Sequence, residues 1–131
     1  MAFRFESLEV FQLAVDYATF AYQLTRKFPR EEIFGLTGNL RRAAASIANN
    51  VAEGSGRGTR RDFMHFVDVA FGSLTESVAS AILAERLGYL GQPDLGEIRE
   101  RADHLGRKLQ SFKRSLATSD ARRATIESAK P

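Results

Sequence analysis

The stretch PDLGEIRERADHLGRKLQSFKRSL, residues 93–116, decides the fold of this chain. Its apolar residues recur at alternating steps of three and four, at Leu95, Ile98, Ala102, Leu105, Leu109, Phe112 and Leu116. This spacing is a heptad seam of the kind that packs antiparallel helices into bundles. Pro93 suits the first position of a helix, where its missing N–H would have no intrahelical acceptor. We therefore predict a helix over residues 93–116.

Three further helical patterns precede this one, at about residues 7–27, 36–53 and 59–87, and no sustained alternation indicates a strand. Proline or glycine interrupts the chain between them, at Pro29, Gly54 to Gly58, and Gly88 to Gly91. Short turns between four helices predict an all-α, up-down antiparallel four-helix bundle over residues 1–116. In residues 117–131 the apolar pattern fades, which indicates a loose tail or a frayed helical extension.

The core stripes of helices two and three follow from the same spacing. Helix two carries Leu36, Leu40, Ala43, Ile47 and Val51; helix three carries Phe63, Phe66 or Val67, Ala70, Leu74, Val78, Ala81 and Ile82. Thr59, three residues before Asp62, has the pattern of an N-cap. Gly72 in the middle of helix three costs roughly 1 kcal/mol relative to alanine. We interpret it as the site of a close helix crossing.

Helix one, for which Ser7 is the predicted N-cap, has two apolar stripes. One stripe consists of Leu8, Phe11, Val15, Ala18 and Tyr22, and the other of Val10, Leu13, Tyr17, Phe20 and Leu24. A helix that is apolar on two sides is typical of one that packs against the bundle and against a second subunit. We assign the second stripe to a subunit interface. A single wide core-facing stripe in a monomer is the alternative.

The bulk composition excludes several classes of protein. The chain has 131 residues, a formal net charge of +3 and no cysteine, so disulfides and thiolate metal sites are ruled out. We expect no secretory signal in the first residues and no membrane span, since no apolar run approaches the roughly 20 residues that a span needs. A cytoplasmic location is the expectation.

The residues that catalysis would need are also missing. His65 and His104 do not complete the pair of Glu-x-x-His motifs that a di-iron bundle requires, and we expect both on the surface. The glycines from Gly54 to Gly58 resemble a phosphate loop but follow a helix and lack the Lys-Ser/Thr pair. No serine lies in a nucleophile turn. We expect no enzyme, no metal, no cofactor and no small-molecule substrate.

Basic residues, in contrast, are concentrated. From Gly38 to Arg61 the only acid is Glu53. Three arginines surround the predicted start of helix three, where unpaired backbone amides attract anions. The full set of candidates for binding nucleic-acid phosphates is Arg41, Arg42, Arg57, Arg60, Arg61, Arg101, Arg107, Lys108, Lys113 and Arg114. Arg41 and Arg42 form a separate patch at the other end of helix two.

A plainer interpretation of these basic residues stays open. Arginine is common on solvated helix faces, and Glu53–Arg57 or Glu97–Arg101 could be simple i,i+4 ion pairs. Arg42 could instead bond across a subunit interface.

Several motifs resemble those of a known family. They are Phe28-Pro29, Glu32, Phe34-Gly35-Leu36-Thr37, Leu40-Arg41-Arg42-Ala43-Ala44, Ser46-Ile47, Asn50-Val51-Ala52-Glu53-Gly54 and Gly56-Arg57, together with Phe5 to Ala14, Phe66, Ala70, Gly72-Ser73-Leu74, Glu76 and Leu87-Gly88-Tyr89-Leu90. In combination they resemble the four-helix bundle proteins of 23S rRNA intervening sequences. Asn39 stands where that family usually has glutamine, and Phe11 where tryptophan is common.

The resemblance implies a cytosolic bundle that assembles as a ring, typically a homopentamer. Similar proteins are accessory factors of reverse transcriptases in diversity-generating retroelements, and they bind RNA or DNA through a basic surface. Two functional hypotheses follow: a non-enzymatic oligomer that binds nucleic acid or a nucleic-acid enzyme, or a structural, protein-interaction scaffold with no nucleic-acid role.

Overall fold

The computed structural model describes residues 3–128 of the chain, and the side chains of residues 3–118. Four α-helices follow one another: α1 (Glu9–Thr25), α2 (Leu36–Ser55), α3 (Arg60–Arg86) and α4 (Gln92–Ser128). Short 3-10 turns precede α1 at Arg4–Ser7 and α2 at Arg30–Glu32. No strand occurs in this part of the chain, so the predicted all-α, four-helix fold is confirmed.

Each helix packs against two others, in the cyclic order α1, α2, α3, α4. Polar contacts mark the antiparallel pairings: Lys27 Nζ at the end of α1 lies 3.1 Å from Asp94 Oδ2 at the start of α4. Near the opposite end, Lys108 Nζ lies 2.8 Å from Glu9 Oε1. The chain therefore alternates in direction. The end of the bundle that holds the α2–α3 turn and the start of α1 is called the α2–α3 end.

Most residues of the predicted seams are in the core, but Val78 and Ile82 of the α3 stripe are only partly buried. Ile98, Leu105 and Leu109 of α4 are at most 1% exposed. All five predicted core residues of α2 are buried, and on α3 Val67 takes the buried position for which Phe66 was the alternative. Burial of these stripes supplies the main driving force for the fold, because apolar surface removed from water contributes about 25 cal/mol per Å².

The turns contain the local signals expected of them. The Thr59 side chain accepts a hydrogen bond from the Asp62 backbone N–H at 3.1 Å, as the predicted cap requires. Gly88 has a φ of +82°, and the amides of Gly88 and Tyr89 donate to the carbonyls of Glu85 and Ala84. This is a Schellman motif, which needs a residue that tolerates the left-handed region.

The interpretation of Gly72 as a close crossing is wrong. A Cβ at Gly72 would meet nothing within 4 Å, whereas a Cβ at Gly54 would lie 2.7 Å from Phe63 Cδ1 and 2.8 Å from Phe66 Cβ. The close approach thus occurs at the last turn of α2, where a glycine lets α3 turn back tightly. The helical pattern alone could not distinguish these two glycines.

The start of α1 differs from the prediction, and the end of α4 decides between two predicted alternatives. α1 begins at Glu9 rather than at Ser7, because Arg4–Ser7 forms a separate 3-10 turn and Leu8 precedes the helix in an extended conformation. α4 continues past Leu116 to Ser128, as the helical alternative for the tail predicted, and residues 129–131 lie outside the described part of the chain. This continuation has helix-forming alanine and arginine but no apolar seam, so a core pattern alone could not decide between a helix and a loose tail.

The assignment of one α1 stripe to a subunit interface is wrong for Val10, Tyr17 and Leu24. These residues are 4%, 2% and 5% exposed and belong to the core of the single chain. Leu13 and Phe20 are partly buried against that core. The other stripe faces outward instead, since Val15 and Tyr22 are 38% and 42% exposed. Both stripes are apolar, so periodicity could not decide which one the bundle covers.

One buried polar contact crosses the bundle diagonally. Tyr17 Oη of α1 lies 2.7 Å from Ser77 Oγ of α3, and both residues are at most 2% exposed. Ser77 Oγ also donates to the Leu74 carbonyl at 2.7 Å, so its single proton is used and Tyr17 is the donor. Burial raises the pKa of the Tyr17 hydroxyl, and the hydrogen bond to Ser77 opposes this shift.

Helix α3 is long and apolar enough, by length and composition alone, to cross a membrane. In the bundle its buried side chains, from Phe63 to Ala84, pack against the other helices. A core helix passes the same test of length and composition, so the finding is weak evidence for a span.

Candidate nucleic-acid interface

Arginines line a recess at the α2–α3 end of the bundle. The recess has a volume of about 360 Å³, and its walls include Arg4, Arg57, Arg60 and Arg61. Three of these residues come from the α2–α3 turn and the first turn of α3, as predicted, and Arg4 comes from the 3-10 turn before α1. The first backbone amides of α3 and four guanidiniums therefore bring positive charge to this end of the molecule.

Arg57 is held in place by contacts with both neighbouring elements. One of its guanidinium nitrogens lies 2.8 Å from Glu53 Oε1, and its guanidinium carbon is 4.8 Å from the centre of the Phe66 ring. The predicted Glu53–Arg57 pair is thus present. It is exposed on both sides and contributes little stability, but it fixes the direction of the side chain.

Arg61 is exposed and forms no ion pair with the described part of the chain. Its charge is therefore available to a ligand without loss of an internal partner. Together with Arg57 and Arg60 it carries positive charge around the open rim of the recess.

Arg41 and Arg42 lie apart from this recess, toward the other end of α2. Arg41 donates to Thr25 Oγ1 at 2.8 Å and stacks on the Tyr22 ring at 4.9 Å, so it ties α2 to α1. Arg42 donates to Asn39 Oδ1 within its own helix. These contacts assign Arg41 a structural role within the bundle and remove it from the best candidates for phosphate contact.

The basic residues of α4 separate into two rows. Arg101 and Lys108 face α1: Arg101 Nε is 2.9 Å from Glu97 Oε1 and its guanidinium lies 4.1 Å from the Phe20 ring centre. Lys108 pairs with Glu9 across the helices, and this ion pair holds the pKa of the Glu9 carboxyl below its usual value. Both cations are already compensated within the chain.

The second row faces α3. Lys113 Nζ lies 2.8 Å from Asp68 Oδ1, and Arg107 Nε lies 3.0 Å from Asp103 Oδ2. Arg114 borders a groove between α3 and α4 and forms no ion pair with the described part of the chain. The structure therefore does not join all ten candidates into one surface.

The structure brings together Arg57, Arg60 and Arg61, and it adds Arg4, which sequence reasoning missed. No helical periodicity places Arg4, because the 3-10 turn that carries it returns to α2 only through tertiary packing. The remaining candidates are distributed over the outer faces of α2 and α4.

No metal centre can be assembled from the residues that the structure describes, since no three His, Cys, Asp or Glu side chains are grouped for one. His65 and His104 are both exposed, which confirms their predicted surface location. The buried polar residues among residues 3–118 are Thr25, Thr37 and Ser77, and none has a neighbouring base of the kind that activates a nucleophile.

Comparison with known proteins gives a family and a fold. The family model described as "23S rRNA-intervening sequence protein" matches residues 6–111. No curated protein matches the chain. A crystal structure from Bacteroides thetaiotaomicron, of a protein with unknown function from the S23 ribosomal protein family, is similar with a TM-score of 0.70. The two chains are 19% identical over 79% of this chain and 97% of that one, so the likeness concerns the fold alone.

Neither description names an enzymatic activity. The family match covers all four helices up to Ser111, including the recess arginines except Arg4. On this match, the chain belongs to the 23S rRNA-intervening sequence protein family.

Proposed function

We propose that this protein is a non-enzymatic module that binds RNA or DNA through the phosphate backbone at its α2–α3 end. The observation that carries the proposal is the recess bordered by Arg4, Arg57, Arg60 and Arg61, with the first amides of α3 beside it. Guanidiniums match the bidentate geometry of phosphate oxygens, and a helix start adds backbone donors and positive potential.

The form of this surface favours binding without sequence readout. The recess is rimmed by charge, and Phe66, the aromatic ring beside Arg57, is covered by its guanidinium. Such a surface would contact phosphates and leave the base edges unread. Affinity should then fall steeply with salt, because each phosphate neutralised on a duplex releases counterions and contributes about 0.9 to the slope of log K against log salt.

The test is the triple variant R57A/R60A/R61A, titrated with structured RNA and with duplex DNA over a salt series. We expect the affinity to fall and the salt slope to decrease by up to about 3, as three phosphate contacts are removed. The matched control is R26A/R30A/R86A, whose three exposed arginines lie at the opposite end of the bundle. Both variants lose the same net charge.

Equal losses in the two triple variants would show that only net charge matters and would refute the assignment to the recess. Unchanged binding in R57A/R60A/R61A would refute it as well. Circular dichroism checks that both variants keep the helical fold.

A second observation favours self-association. Phe34 is 93% exposed, and Leu83, Leu87 and Ile33 are 51%, 50% and 46% exposed, all toward the end where α1 and α3 finish. Large apolar side chains at this level of exposure mark contact sites. We propose that the chain forms a cytoplasmic homo-oligomer, a ring of five as the family resemblance implies, and that these residues contribute to the contacts in place of the buried α1 residues.

The oligomer is tested by measuring the mass of the protein in solution. Phe34→Ser should lower the mass, since it removes an exposed ring without disturbing the core. Val15→Ser changes the exposed stripe of α1 instead and should leave the mass unchanged. Comparing the two variants shows whether the copies associate through the surface around Phe34 or through α1. A monomeric wild-type protein would contradict the proposed self-association. It would also remove the support that these exposed apolar residues give to the scaffold hypothesis.

A further inference from the structure

A long apolar groove runs between α3 and α4, away from the arginine recess. Its volume is about 770 Å³, and its floor includes Phe71, Leu74, Val78 and Ile82 of α3. On the α4 side the groove is lined by the small residues Ala102 and Gly106. At Gly106 the two helices approach closely, since a Cβ there would lie 3.3 Å from Phe71 Cε2.

One border of this groove is positively charged. Arg99, Arg107 and Arg114 line it from α4 at spacings of eight and seven residues, which keeps them on one helix face over roughly 22 Å. Arg107 is paired with Asp103, while Arg99 and Arg114 form no ion pair within the described residues. The border therefore carries uncompensated charge at both of its ends.

The other border is uncharged, since α3 contributes Thr75 and Ala79 there. The floor extends for roughly 16 Å from Phe71 to Ile82, which is about three helical turns. The groove is thus long, apolar along its floor and asymmetric in charge. These are the features of sites that bind an amphipathic helix through residues at steps of three and four.

We propose that the α3–α4 groove is a docking site for an amphipathic helix of a partner protein, with carboxylates along one flank of its apolar stripe. The apolar stripe would cover the floor, and the carboxylates, about two turns apart, would face the arginine border. This proposal does not depend on nucleic-acid binding at the recess.

The charges of the groove favour this occupant over two others. A second copy that docked by the outward stripe of α1 would bring a cation to a cationic border, because Arg41 lies on the Tyr22 ring of that stripe. Nucleic acid would pair its phosphates with the arginines but leave the apolar floor exposed to water, so the free energy of burying that floor would not be gained. An acidic amphipathic helix satisfies both the floor and the border.

The test uses two designed peptides of about five helical turns, each with leucine along one stripe at steps of three and four. One peptide carries glutamate along one flank of the stripe, and the other carries lysine at the same positions. Binding of each labelled peptide to the full-length protein is measured by fluorescence anisotropy. We expect the glutamate peptide to bind and the lysine peptide to bind at least about tenfold more weakly.

Two variants locate the binding. R99A/R114A should weaken the glutamate peptide on the order of tenfold, while R26A/R30A, which loses the same charge elsewhere, should not. Ala79→Gln should obstruct the groove and abolish binding. Ala79 is exposed, so this variant should keep the wild-type thermal midpoint.

Four results would overturn the proposal. The first is equal affinity for the two peptides, and the second is an unchanged affinity of the glutamate peptide for R99A/R114A. The third is a fall in oligomer mass in Ala79→Gln, which would make the groove a contact between copies. The fourth is a loss of RNA affinity in R99A/R114A that exceeds the loss in R26A/R30A, which would assign the groove to nucleic acid.

Discussion

Replacing Ser77 with alanine would leave the buried Tyr17 hydroxyl without an acceptor. Tyr17 is 2% exposed and Ser77 is fully buried, so water cannot restore the 2.7 Å hydrogen bond between them. An unsatisfied buried donor costs about 1–3 kcal/mol. We expect Ser77→Ala to lower the free energy of unfolding by about that amount. It should cost more than Tyr17→Phe, in which Ser77 still donates to the Leu74 carbonyl.

Tyr17→Phe removes the donor, and the lost net hydrogen bond is worth about 0.5–1.5 kcal/mol. The double variant Y17F/S77A has neither polar group and should be more stable than the sum of the two single changes implies. Urea unfolding followed by circular dichroism at the helical band measures all four proteins. Strict additivity in this double-mutant cycle would refute the reasoning, since it would mean that the two hydroxyls do not interact.

The remaining predictions concern a glycine pair and two titrating groups. Gly54→Ala should lower stability by about 1–2 kcal/mol, because the new Cβ would collide with the Phe66 Cβ. Gly72→Ala, at an exposed position with open space, should raise stability by up to about 1 kcal/mol. The thermal midpoints of the two variants measure both effects. Equal shifts would contradict the packing. Lys108 lowers the pKa of the Glu9 carboxyl in the folded protein. The ion pair therefore stabilises the fold at pH above the carboxyl's pKa in the unfolded chain, and this contribution is lost as pH falls through the pKa in the folded protein. The difference in unfolding free energy between wild type and Glu9→Gln, measured over an acid pH series, should narrow in that pH range. The raised pKa of the Tyr17 hydroxyl acts in the opposite direction: its contribution is present below the unfolded value and lost as pH rises, so Tyr17→Phe should flatten the alkaline decline in stability.

Much of the fold could be predicted from the sequence because it depends on local patterns. The seam from Leu95 to Leu116 contains every third or fourth residue on one helix face, and such a face must be buried wherever the helix lies. The Thr59 cap depends likewise on residues within four positions of each other. These features need no knowledge of the tertiary arrangement.

The wrong predictions concern positions where two residues or stripes have the same local sequence pattern. Both stripes of α1 are apolar, and only the positions of α2 and α4 determine that Tyr17 is covered and Tyr22 is not. Gly54 and Gly72 look alike in sequence, but only Gly54 has an aromatic residue of the next helix against it. Ser77 was predicted by no motif, although its place between Leu74 and Ala81 on the core face is a usable signal.

The candidate site was predictable only in part. The charge of Arg57, Arg60 and Arg61 is visible in the sequence, but their union with Arg4 depends on the packing of the first 3-10 turn. The sequence also could not show which cations are already compensated. Lys108 and Lys113 pair with acids that are distant in the chain, Glu9 and Asp68.

The most direct test of phosphate binding at the recess is a salt titration of wild-type protein and R57A/R60A/R61A with duplex DNA, with the mass of each protein measured in parallel. The recess predicts that wild-type affinity falls steeply with salt and that the variant, at unchanged mass, has both a lower affinity and a shallower slope. Wild-type affinity that does not respond to salt, or a variant that binds as the wild type does, would contradict phosphate binding at this end of the bundle.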